Sequence, residues 1–298
     1  MSGNRYRVLY AATVLFLGAF GMGAYTGFSS APCGNANYLW CSDFESGLKG
    51  WHRGINDPNV KLIHFPGPMG AHQQNTVMQL RLPPGKGGTG VTRLLPSSYN
   101  KLFLRWNQLF EAGFDFHANY HGQGLQAINQ KGKAGFRPKG DDWFSVKLDH
   151  TIHPQTEHPS PYLYAYFPGM NMDCKDPHGR CWGEHLPCFI SQKRYCRDPN
   201  FHPAYSLPEL RQQHWYCIEI MVDMGSPTPT AEGADGMLSL TIDDKLIGNW
   251  SDLWLRSDGG LKLNRIVMGL YHHEEHSEAG VLIDDVVISR QPIGCLQK

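Results

Sequence analysis

The chain has 298 residues, of which 27 are Lys or Arg and 27 are Asp or Glu, so its formal net charge is zero with histidine neutral. This balance excludes the basic surface of a general nucleic-acid-binding protein. With 41% hydrophobic and 18% charged residues, the composition also excludes intrinsic disorder, which requires few apolar residues and a high net charge. The length fits one large all-β domain or two average domains.

An uncharged, mostly apolar segment at residues 8–28 follows Arg5 and Arg7. Its length fits a hydrophobic helix that acts either as a signal anchor or as a long, cleaved signal peptide, and both remain open. Because the basic residues precede the segment, the positive-inside rule places everything after it outside the cytoplasm. We therefore expect residues 1–31 to direct export, and residues 32–298 to form a secreted, periplasmic or cell-surface domain.

All eight cysteines lie beyond this segment, and their even number predicts up to four disulfide bonds in an oxidising compartment. We expect Cys33 to pair with Cys41 and Cys217 to pair with Cys295. We expect disulfide bonds within an insertion at residues 170–196, formed by the remaining four cysteines, Cys174, Cys181, Cys188 and Cys196.

A zinc site is the alternative for these four cysteines, because His178 and His185 lie among them. The spacings are C-x6-C, C-x6-C and C-x7-C, whereas structural zinc sites use C-x2-4-C. Disulfide bonds are therefore the preferred interpretation.

Past residue 33 the sequence predicts strands, because 33 glycines and 20 prolines recur between short segments of alternating polarity. The predicted strands span residues 101–109, 143–149, 162–167, 215–223, 237–243, 265–271 and 281–289. One short helix is expected at residues 207–214. This pattern is typical of an all-β sandwich or barrel.

Several predicted strands have one apolar face and one face of aromatic, amide and charged residues. In the strand at 101–109, for example, Leu104 and Trp106 alternate with Arg105 and Asn107, and successive side chains of a strand point to opposite faces. The apolar faces predict an inter-sheet core. The other faces include Trp143, Lys147, Tyr162, Tyr164, Tyr166 and Glu219.

Aromatic planes interspersed with hydrogen-bonding groups fit a sugar chain, whose rings have apolar faces and hydroxyl edges. We therefore expect these side chains to line a groove for a polysaccharide. The alternative is that the tyrosines only pack against each other across an exposed sheet.

Five segments carry a resemblance to a known family: DFESGLKGW at residues 43–51, LFLRWNQLFEAGFDFHANYHGQGL at 102–125, WFSVKLD with YLYAYFP, the run from HWYCIEIMVD to IGNW, and VMGLYHHEEHSEAGVLIDDVVIS. In this order they resemble the concanavalin A-like jelly-roll polysaccharide lyases, the glucuronan and alginate lyase group and related secreted proteins. The resemblance covers about residues 39–289 and implies a jelly-roll sandwich of two antiparallel sheets. It also implies an opening strand at residues 43–51.

The chain departs from the family pattern at three places. Gln123 occupies the position at which the family's glycine-rich loop has lysine, and Lys147 stands where arginine is common. The insertion at residues 170–196 has no counterpart in the family.

The resemblance implies β-elimination from a uronate, which requires three groups. A cation or amide neutralises the carboxylate, a base removes the neighbouring proton, and an acid protonates the leaving oxygen. The candidate neutralisers are Arg105, Asn107 and Gln123. The candidate bases are Lys147, His121 or a tyrosinate, and Tyr164 is the candidate acid. A tyrosinate would need its pKa lowered by Arg105 and Lys147.

Other chemistries lack their motifs. Retaining glycosidases of this class carry two carboxylates on one strand in an E-x-D-x-(x)-E pattern, which neither Glu219 with Asp223 nor the run at residues 274–278 matches. No Ser-His-Asp elbow, P-loop or dinucleotide-binding glycine pattern is present in the sequence.

Two clusters could hold a metal ion. Asp43 and Glu45 near the start, with Asp284 and Asp285 near the end, lie on strands that often neighbour each other in jelly rolls and would provide oxygen ligands for a structural Ca²⁺. The histidine-rich run at residues 271–276 could bind a metal or cap a loop. Alternation along a strand prevents its adjacent histidines, at 272 and 273, from chelating one ion. No cofactor is required for the predicted reaction.

The sequence thus predicts one exported jelly-roll domain that binds an acidic polysaccharide and cleaves it by β-elimination. A non-catalytic carbohydrate-binding or adhesion module on the same fold is the alternative, and a structural surface protein is a third. We expect no nucleic-acid partner, and membrane contact only through residues 8–28.

Overall fold

Strands account for nearly all regular structure in the described part of the chain. The computed structural model describes residues 32–67, 75–118, 120–153, 156–172, 182–187, 207–276 and 278–295. These residues belong to one unit and contain fifteen strands and a short 3-10 helix, Pro32–Gly34. No helix among them is long and apolar enough to cross a membrane. The expected N-terminal hydrophobic helix lies outside the described residues.

Eight strands form the first sheet, here sheet A. Its order is β13-β12-β11-β5-β15-β3-β2, and β1 also pairs with β15. The bounds are β1 Tyr38–Ser42, β2 Val60–His64, β3 Thr76–Leu82, β5 Lys101–Phe110, β11 Trp215–Asp223, β12 Gly236–Ile242, β13 Lys245–Leu253 and β15 Ala279–Ser289.

Seven strands form the second sheet, here sheet B. Its order is β10-β9-β8-β7-β14-β4, and the short β6 also pairs with β14. The bounds are β4 Gly85–Tyr99, β6 Tyr120–His121, β7 Gly124–Ile128, β8 Trp143–Ile152, β9 Pro159–Tyr166, β10 Glu184–Leu186 and β14 Leu263–Glu275. All pairings in both sheets are antiparallel.

The core lies between the two sheets and is built from the apolar face of each strand. Leu104 and Trp106 of β5 are fully buried on one side of it, and Phe144 and Val146 of β8 on the other. Replacing a residue such as Trp106 by alanine would cost about 3 to 5 kcal/mol, because the lost contacts leave a cavity. The predicted all-β sandwich of two antiparallel sheets is confirmed.

Each of the seven predicted strands is present, but the short helix predicted at residues 207–214 is wrong. The segment is extended because its backbone donors bind neighbouring strands. Leu210 N donates to Pro159 O at 2.8 Å, and Gln213 N donates to Phe110 O at 2.7 Å. Gln213 also has a φ of 56°, which a regular right-handed helix does not contain.

The expected opening strand at residues 43–51 is also wrong, because that segment forms turns. Phe44 and Gly47 have φ values of 59° and 75°, and Gly47 N donates to Phe44 O. The first strand, β1, ends just before this segment and pairs with the last strand, with Cys41 opposite Val287. The first and last strands are therefore neighbours, as expected.

Two of the predicted disulfide bonds are confirmed. Cys33 pairs with Cys41, and Cys217 pairs with Cys295 across a sequence separation of 78 residues. Closing a loop of that length restricts the unfolded chain by about 4 to 5 kcal/mol in the chain-entropy description. The four cysteines predicted to staple the insertion lie outside the described residues.

Candidate functional site

The outer face of sheet B brings together polar side chains from neighbouring strands. Lys147 of β8 lies directly opposite Gly124 of β7 and Tyr164 of β9, and Tyr164 lies opposite His185 of β10. Because directly opposed residues share a face, Lys147, Tyr164 and His185 form one row across the sheet. Gly124 adds no side chain to this row.

A second row lies beside the first. His121 of β6 is opposite Tyr271 of β14, and Asp149 of β8 is opposite Tyr162 of β9. The imidazole of His121 stacks on the ring of Tyr164, with ring centroids 4.6 Å apart and an angle of 15° between the planes. This stack joins the two rows into one site.

A buried carboxylate orients His121. The Nδ1 of His121 lies 2.6 Å from Asp149 Oδ2, and Gly122 N donates to Asp149 Oδ1 at 3.1 Å. Tyr162 Oη also donates to Asp149 Oδ2, at 3.4 Å. Because Nδ1 carries the proton of this bond, the lone pair of the neutral ring lies on Nε2.

The Nε2 of His121 is 3.0 Å from the Nε2 of His273. Since His121 donates through Nδ1, its Nε2 accepts this bond and His273 donates it. His273 reaches this position because it points outward from β14, whereas the preceding His272 is buried and stacks on Tyr120. The opposite directions expected of the two adjacent histidines are observed.

These side chains line a cavity of about 610 Å³ on the outer face. That volume lies within the range of small-molecule sites. Its described lining has no lysine or arginine, but it includes Trp182, Tyr162, Tyr164 and five histidines, which are His117, His121, His150, His185 and His273. Burial lowers the pKa of His150 and of His185 to about 4, so both rings are neutral at pH 7.

Lys147 lies beside the stacked pair, directly opposite Tyr164 on β9. Burial lowers the pKa of Lys147 below its usual value, and the charge of Asp149 opposes this shift only in part. The residue as a whole is half-buried, and its ammonium has no hydrogen bond or ion pair with the described residues. Lys147 lies outside the described lining of the cavity.

Tyr164 holds its proton strongly. Burial raises the pKa of Tyr164 well above its usual value, and the neighbouring Tyr166 adds to this effect. Its hydroxyl accepts from Gly183 N at 3.0 Å and lies 3.0 Å from the Tyr166 hydroxyl. These contacts disfavour the predicted tyrosinate and leave Tyr164 as a proton donor.

The predicted association of Arg105 with Lys147 is wrong, because β5 lies in sheet A. The guanidinium of Arg105 donates to Asp285 O at 3.2 Å, and Asn107 Nδ2 donates to Asp285 Oδ2 at 2.9 Å. Glu219, opposite Arg105 on β11, accepts from the backbone near the C-terminus. Arg105, Asn107 and Glu219 therefore form a buried network on the other sheet.

Three further predicted ligand-binding residues lie away from the cavity lining. Gln123 is buried, its Nε2 donates to Gly269 O at 3.1 Å, and its Oε1 has no hydrogen-bond partner among the described residues. Trp143 packs against Tyr166 with ring centroids 5.2 Å apart. Of the predicted sugar-binding residues, Tyr162 lines the cavity with His121 and Tyr164, and Tyr166 contacts Tyr164 outside the described lining.

The acidic residues predicted to hold calcium lie near one another, with Asp284 and Asp285 on β15, an inner strand of sheet A between β5 and β3. Asp284 Oδ2 accepts from Asn75 Nδ2 at 2.9 Å, and burial, with the adjacent Asp285, raises the pKa of Asp284 to about 8. Glu45 accepts from Thr76, and Asp43 accepts from the amide of Glu45. Among the described residues no three acidic, histidine or cysteine side chains converge to hold a metal ion. The calcium site stays a prediction.

Two groups that organise this site, Asp149 and His273, were not predicted to belong to it, although the run that contains His273 was considered as a metal site or a loop cap. Asp149 lies two residues after Lys147 on the same strand and therefore shares its face. This spacing could have predicted that Asp149 belongs to the site. His273 lies in the histidine-rich run, but its proximity to His121 depends on the pairing of β6 with β14. That pairing has no sequence signature, because β6 has two residues.

Several solved structures similar to this chain are polysaccharide lyases. The alginate lyase Aly36B has a TM-score of 0.54 at 11% identity, covering 88% of this chain and 96% of that chain. The marine PL-14 alginate lyase from Aplysia kurodai has a TM-score of 0.55 at 13% identity, and the match covers 85% of this chain and 99% of that chain. The endo-β-1,4-glucuronan lyase from the fungus Trichoderma reesei has a TM-score of 0.53 at 12% identity, and the match covers 85% of this chain and 96% of that chain.

The fold is thus that of the jelly-roll polysaccharide lyases, which confirms the resemblance found in the sequence. At identities this low the likeness shows the fold alone. No protein-family model matches the chain, and no curated protein matches it.

Proposed function

We propose that the protein binds an acidic, uronate-containing polysaccharide in the outer cavity of sheet B and cleaves it by β-elimination. The observation that carries this proposal is the pair formed by His121 and Asp149 at the cavity wall. The alginate and glucuronan lyases with the same architecture support the substrate class.

The proposed base is His121. Its Nε2 lone pair removes the proton on the carbon next to the uronate carboxylate, and the released electron pair forms the new carbon–carbon double bond as the glycosidic oxygen leaves. Asp149 keeps the proton on Nδ1 and stabilises the imidazolium that forms. His273, 3.0 Å away, must give up its hydrogen bond to this nitrogen during the step.

The proposed acid is Tyr164 at the cavity wall, and the proposed neutralising group is Lys147, which lies directly opposite Tyr164 but outside the described lining, so the uronate carboxylate has to extend beyond the lining to meet it. An ammonium next to the uronate carboxylate makes the neighbouring proton more acidic. The raised pKa of Tyr164 keeps its hydroxyl protonated at neutral pH, so a proton is available for the leaving oxygen. The two side chains are directly opposed on β8 and β9, which supports the proposal that they act on the same sugar residue.

A panel of polyuronates tests this function. The wild-type protein is incubated with alginate and with polyglucuronate, and the ultraviolet absorbance of the unsaturated product is followed. We expect absorbance to rise with at least one polymer and not with a neutral glucan. No rise with any polyuronate would contradict the lyase assignment.

A non-catalytic binding module is the second candidate, and one observation favours it. The Tyr164 hydroxyl is engaged by both Gly183 and Tyr166, so it must exchange a partner before it can act on a sugar. Retention on immobilised polyuronate without any product would favour this candidate. Failure of both retention and product would favour a surface protein with a protein partner.

We also propose that the domain is exported. The disulfide bonds at Cys33–Cys41 and Cys217–Cys295 are stable in oxidising compartments and rare in reducing ones. Residues 1–31, which are proposed to direct export, lie outside the described residues. Cell fractionation with the full chain, compared with a chain lacking residues 8–28, tests this: loss of export on deletion is expected.

A further inference from the structure

We propose that His121 and His273 together bind one divalent transition-metal cation, of the Zn²⁺ or Cu²⁺ class, through their Nε2 atoms. Binding of the metal does not depend on the proposed function. Its effect on catalysis does, because it involves the nitrogen assigned to the base.

The separation of the two nitrogens fits a shared cation. The Nε2 atoms are 3.0 Å apart at the wall of the cavity. With metal–nitrogen bonds of about 2.0 to 2.1 Å, two imidazoles would place these atoms about 2.9 Å apart at a right angle and about 3.3 Å apart in a tetrahedron. Both values are close to the 3.0 Å observed, but the nitrogens now point at each other in a hydrogen bond, so binding requires the His273 ring to turn until both lone pairs point at the metal.

His121 is already held in the orientation that a ligand requires. Metal-binding histidines commonly donate their second ring nitrogen to a carboxylate, and His121 Nδ1 does so with Asp149 Oδ2 at 2.6 Å. The stack on Tyr164 fixes the plane of the same ring. To bind, His273 must also carry its proton on Nδ1 instead of Nε2, which leaves the ring neutral.

The remaining coordination positions face the cavity. Among the described residues no group of three His, Cys, Asp or Glu side chains converges on a metal, so the described protein supplies two ligands. Water completes the coordination of such an open site. Imidazole ligands favour Zn²⁺, Cu²⁺ and Ni²⁺, whereas Ca²⁺ and Mg²⁺ prefer oxygen.

A bound metal and the proposed base compete for one lone pair. A cation on His121 Nε2 occupies the electron pair that would remove the substrate proton. If the proposed function is correct, Zn²⁺ inhibits the lyase reaction, and a chelator restores it. The structure thus assigns to this pair a metal site that overlaps the active site.

Titration with Cu²⁺, followed by electron paramagnetic resonance, tests the site on the full chain. The wild-type spectrum should show hyperfine splitting from two imidazole nitrogens at one equivalent of metal. Asp149→Asn should weaken binding about 10- to 100-fold, since it alters the carboxylate that supports the ligand. His273→Ala should weaken it further and remove the two-nitrogen pattern. His276→Ala, an exposed histidine at the end of the same strand, is the matched control and should behave as wild type.

An unchanged spectrum and affinity in His273→Ala would overturn the proposal. His121→Ala provides the same comparison from the other ligand, and circular dichroism establishes that each variant is folded. If Cu²⁺ binds as expected and no polyuronate is cleaved, the metal site stands and the proposed function fails. If Zn²⁺ binds to the pair but leaves cleavage unchanged, the site again stands, and His121 is not the base.

Discussion

His121 and Asp149 form a hydrogen-bonded pair in which the imidazole is 14% exposed and the carboxylate side chain is fully buried, with 2.6 Å between Nδ1 and Oδ2. The carboxylate is held from the other side by the amide of Gly122. One nitrogen of His121 is therefore fixed by the protein, and the other lies at a cavity open to a ligand. The catalytic proposal rests on this relationship.

Removing the base should abolish cleavage. We expect His121→Ala to lower kcat on a polyuronate about 10²- to 10⁴-fold, which is the contribution typical of a general base. Asp149→Asn should also lower kcat, because an amide has one acceptor oxygen where the carboxylate accepts from both Gly122 N and His121 Nδ1, and it does not stabilise the imidazolium. Initial rates of product absorbance measure both. Equal activity of His121→Ala and wild type would refute the role of His121.

Two substitutions of Lys147, to alanine and to arginine, should show whether its positive charge contributes to activity. Lys147→Ala is expected to raise KM and lower kcat, because the uronate carboxylate loses its cation. Because burial lowers the pKa of Lys147, wild-type activity should decline with rising pH earlier than it would with an exposed lysine. In Lys147→Arg the charge persists to higher pH, so its alkaline decline should move upward. Identical pH profiles for the two proteins would contradict this role.

Tyr164→Phe should remove the acid while keeping the aromatic stack. We expect loss of product together with a destabilisation of about 1 to 3 kcal/mol, because the buried amide of Gly183 loses its acceptor. Tyr216→Phe is the matched control. Tyr216 lies on β11 of sheet A, and its hydroxyl likewise accepts a hydrogen bond from a backbone amide, that of Arg211. The control should lose comparable stability but keep its activity. Full activity in Tyr164→Phe would exclude Tyr164 as the acid.

Alternation of polarity predicted the strands and the inward side chains, but not the sheet to which each strand belongs. Leu104 and Trp106 lie in the core as expected, because the period of two within a strand follows from local geometry. Arg105 was expected beside Lys147 because both lie on polar faces. Their assignment to opposite sheets depends on long-range pairing, which the period of two does not encode.

Arg105 should therefore matter for stability and not for catalysis. Arg105→Met removes the buried donor to Asp285 O and the positive charge beside the Asp285 side chain, and we expect a loss of about 1 to 3 kcal/mol in the free energy of unfolding. Lys101→Met, on the same strand, breaks only the exposed pair with Asp223 and should cost at most about 1 kcal/mol. Denaturant titration measures both. A specific loss of kcat in folded Arg105→Met would restore Arg105 to the active site.

His150 should make stability depend on pH. Its pKa in the folded protein is about 4, compared with 6.5 for the free side chain, so the unfolded chain binds the proton more readily. The resulting stability is present above about pH 6.5 and is lost as pH falls towards 4, with a magnitude of about 3 kcal/mol. His150→Phe keeps an aromatic ring among Phe110, Phe114 and Phe116 and should show a weaker loss between pH 7 and 5. Parallel pH dependences for variant and wild type would contradict the buried, neutral state of His150.

The site itself was only partly predictable. Lys147, Tyr164 and His121 were identified because their residue types suit the chemistry, and the structure places His121 in contact with Tyr164. Gln123 was expected to face the ligand, but its amide turns inward to the carbonyl of Gly269. A loop residue next to a two-residue strand has no periodic context, so the sequence does not determine the direction of its side chain.

The chemical class of the reaction is tested most directly by the masses of the products. Alginate or polyglucuronate is digested with wild-type protein and with folded His121→Ala, and the oligosaccharides are analysed by mass spectrometry. In β-elimination, each cleavage gives one fragment with a new, unsaturated non-reducing end, which is lighter by one water than its hydrolysis counterpart, and one saturated fragment. We predict such unsaturated fragments from the wild-type protein and at least about 100-fold less of them from His121→Ala. Saturated fragments alone, or unsaturated fragments formed equally by the variant, would contradict cleavage by His121-dependent β-elimination.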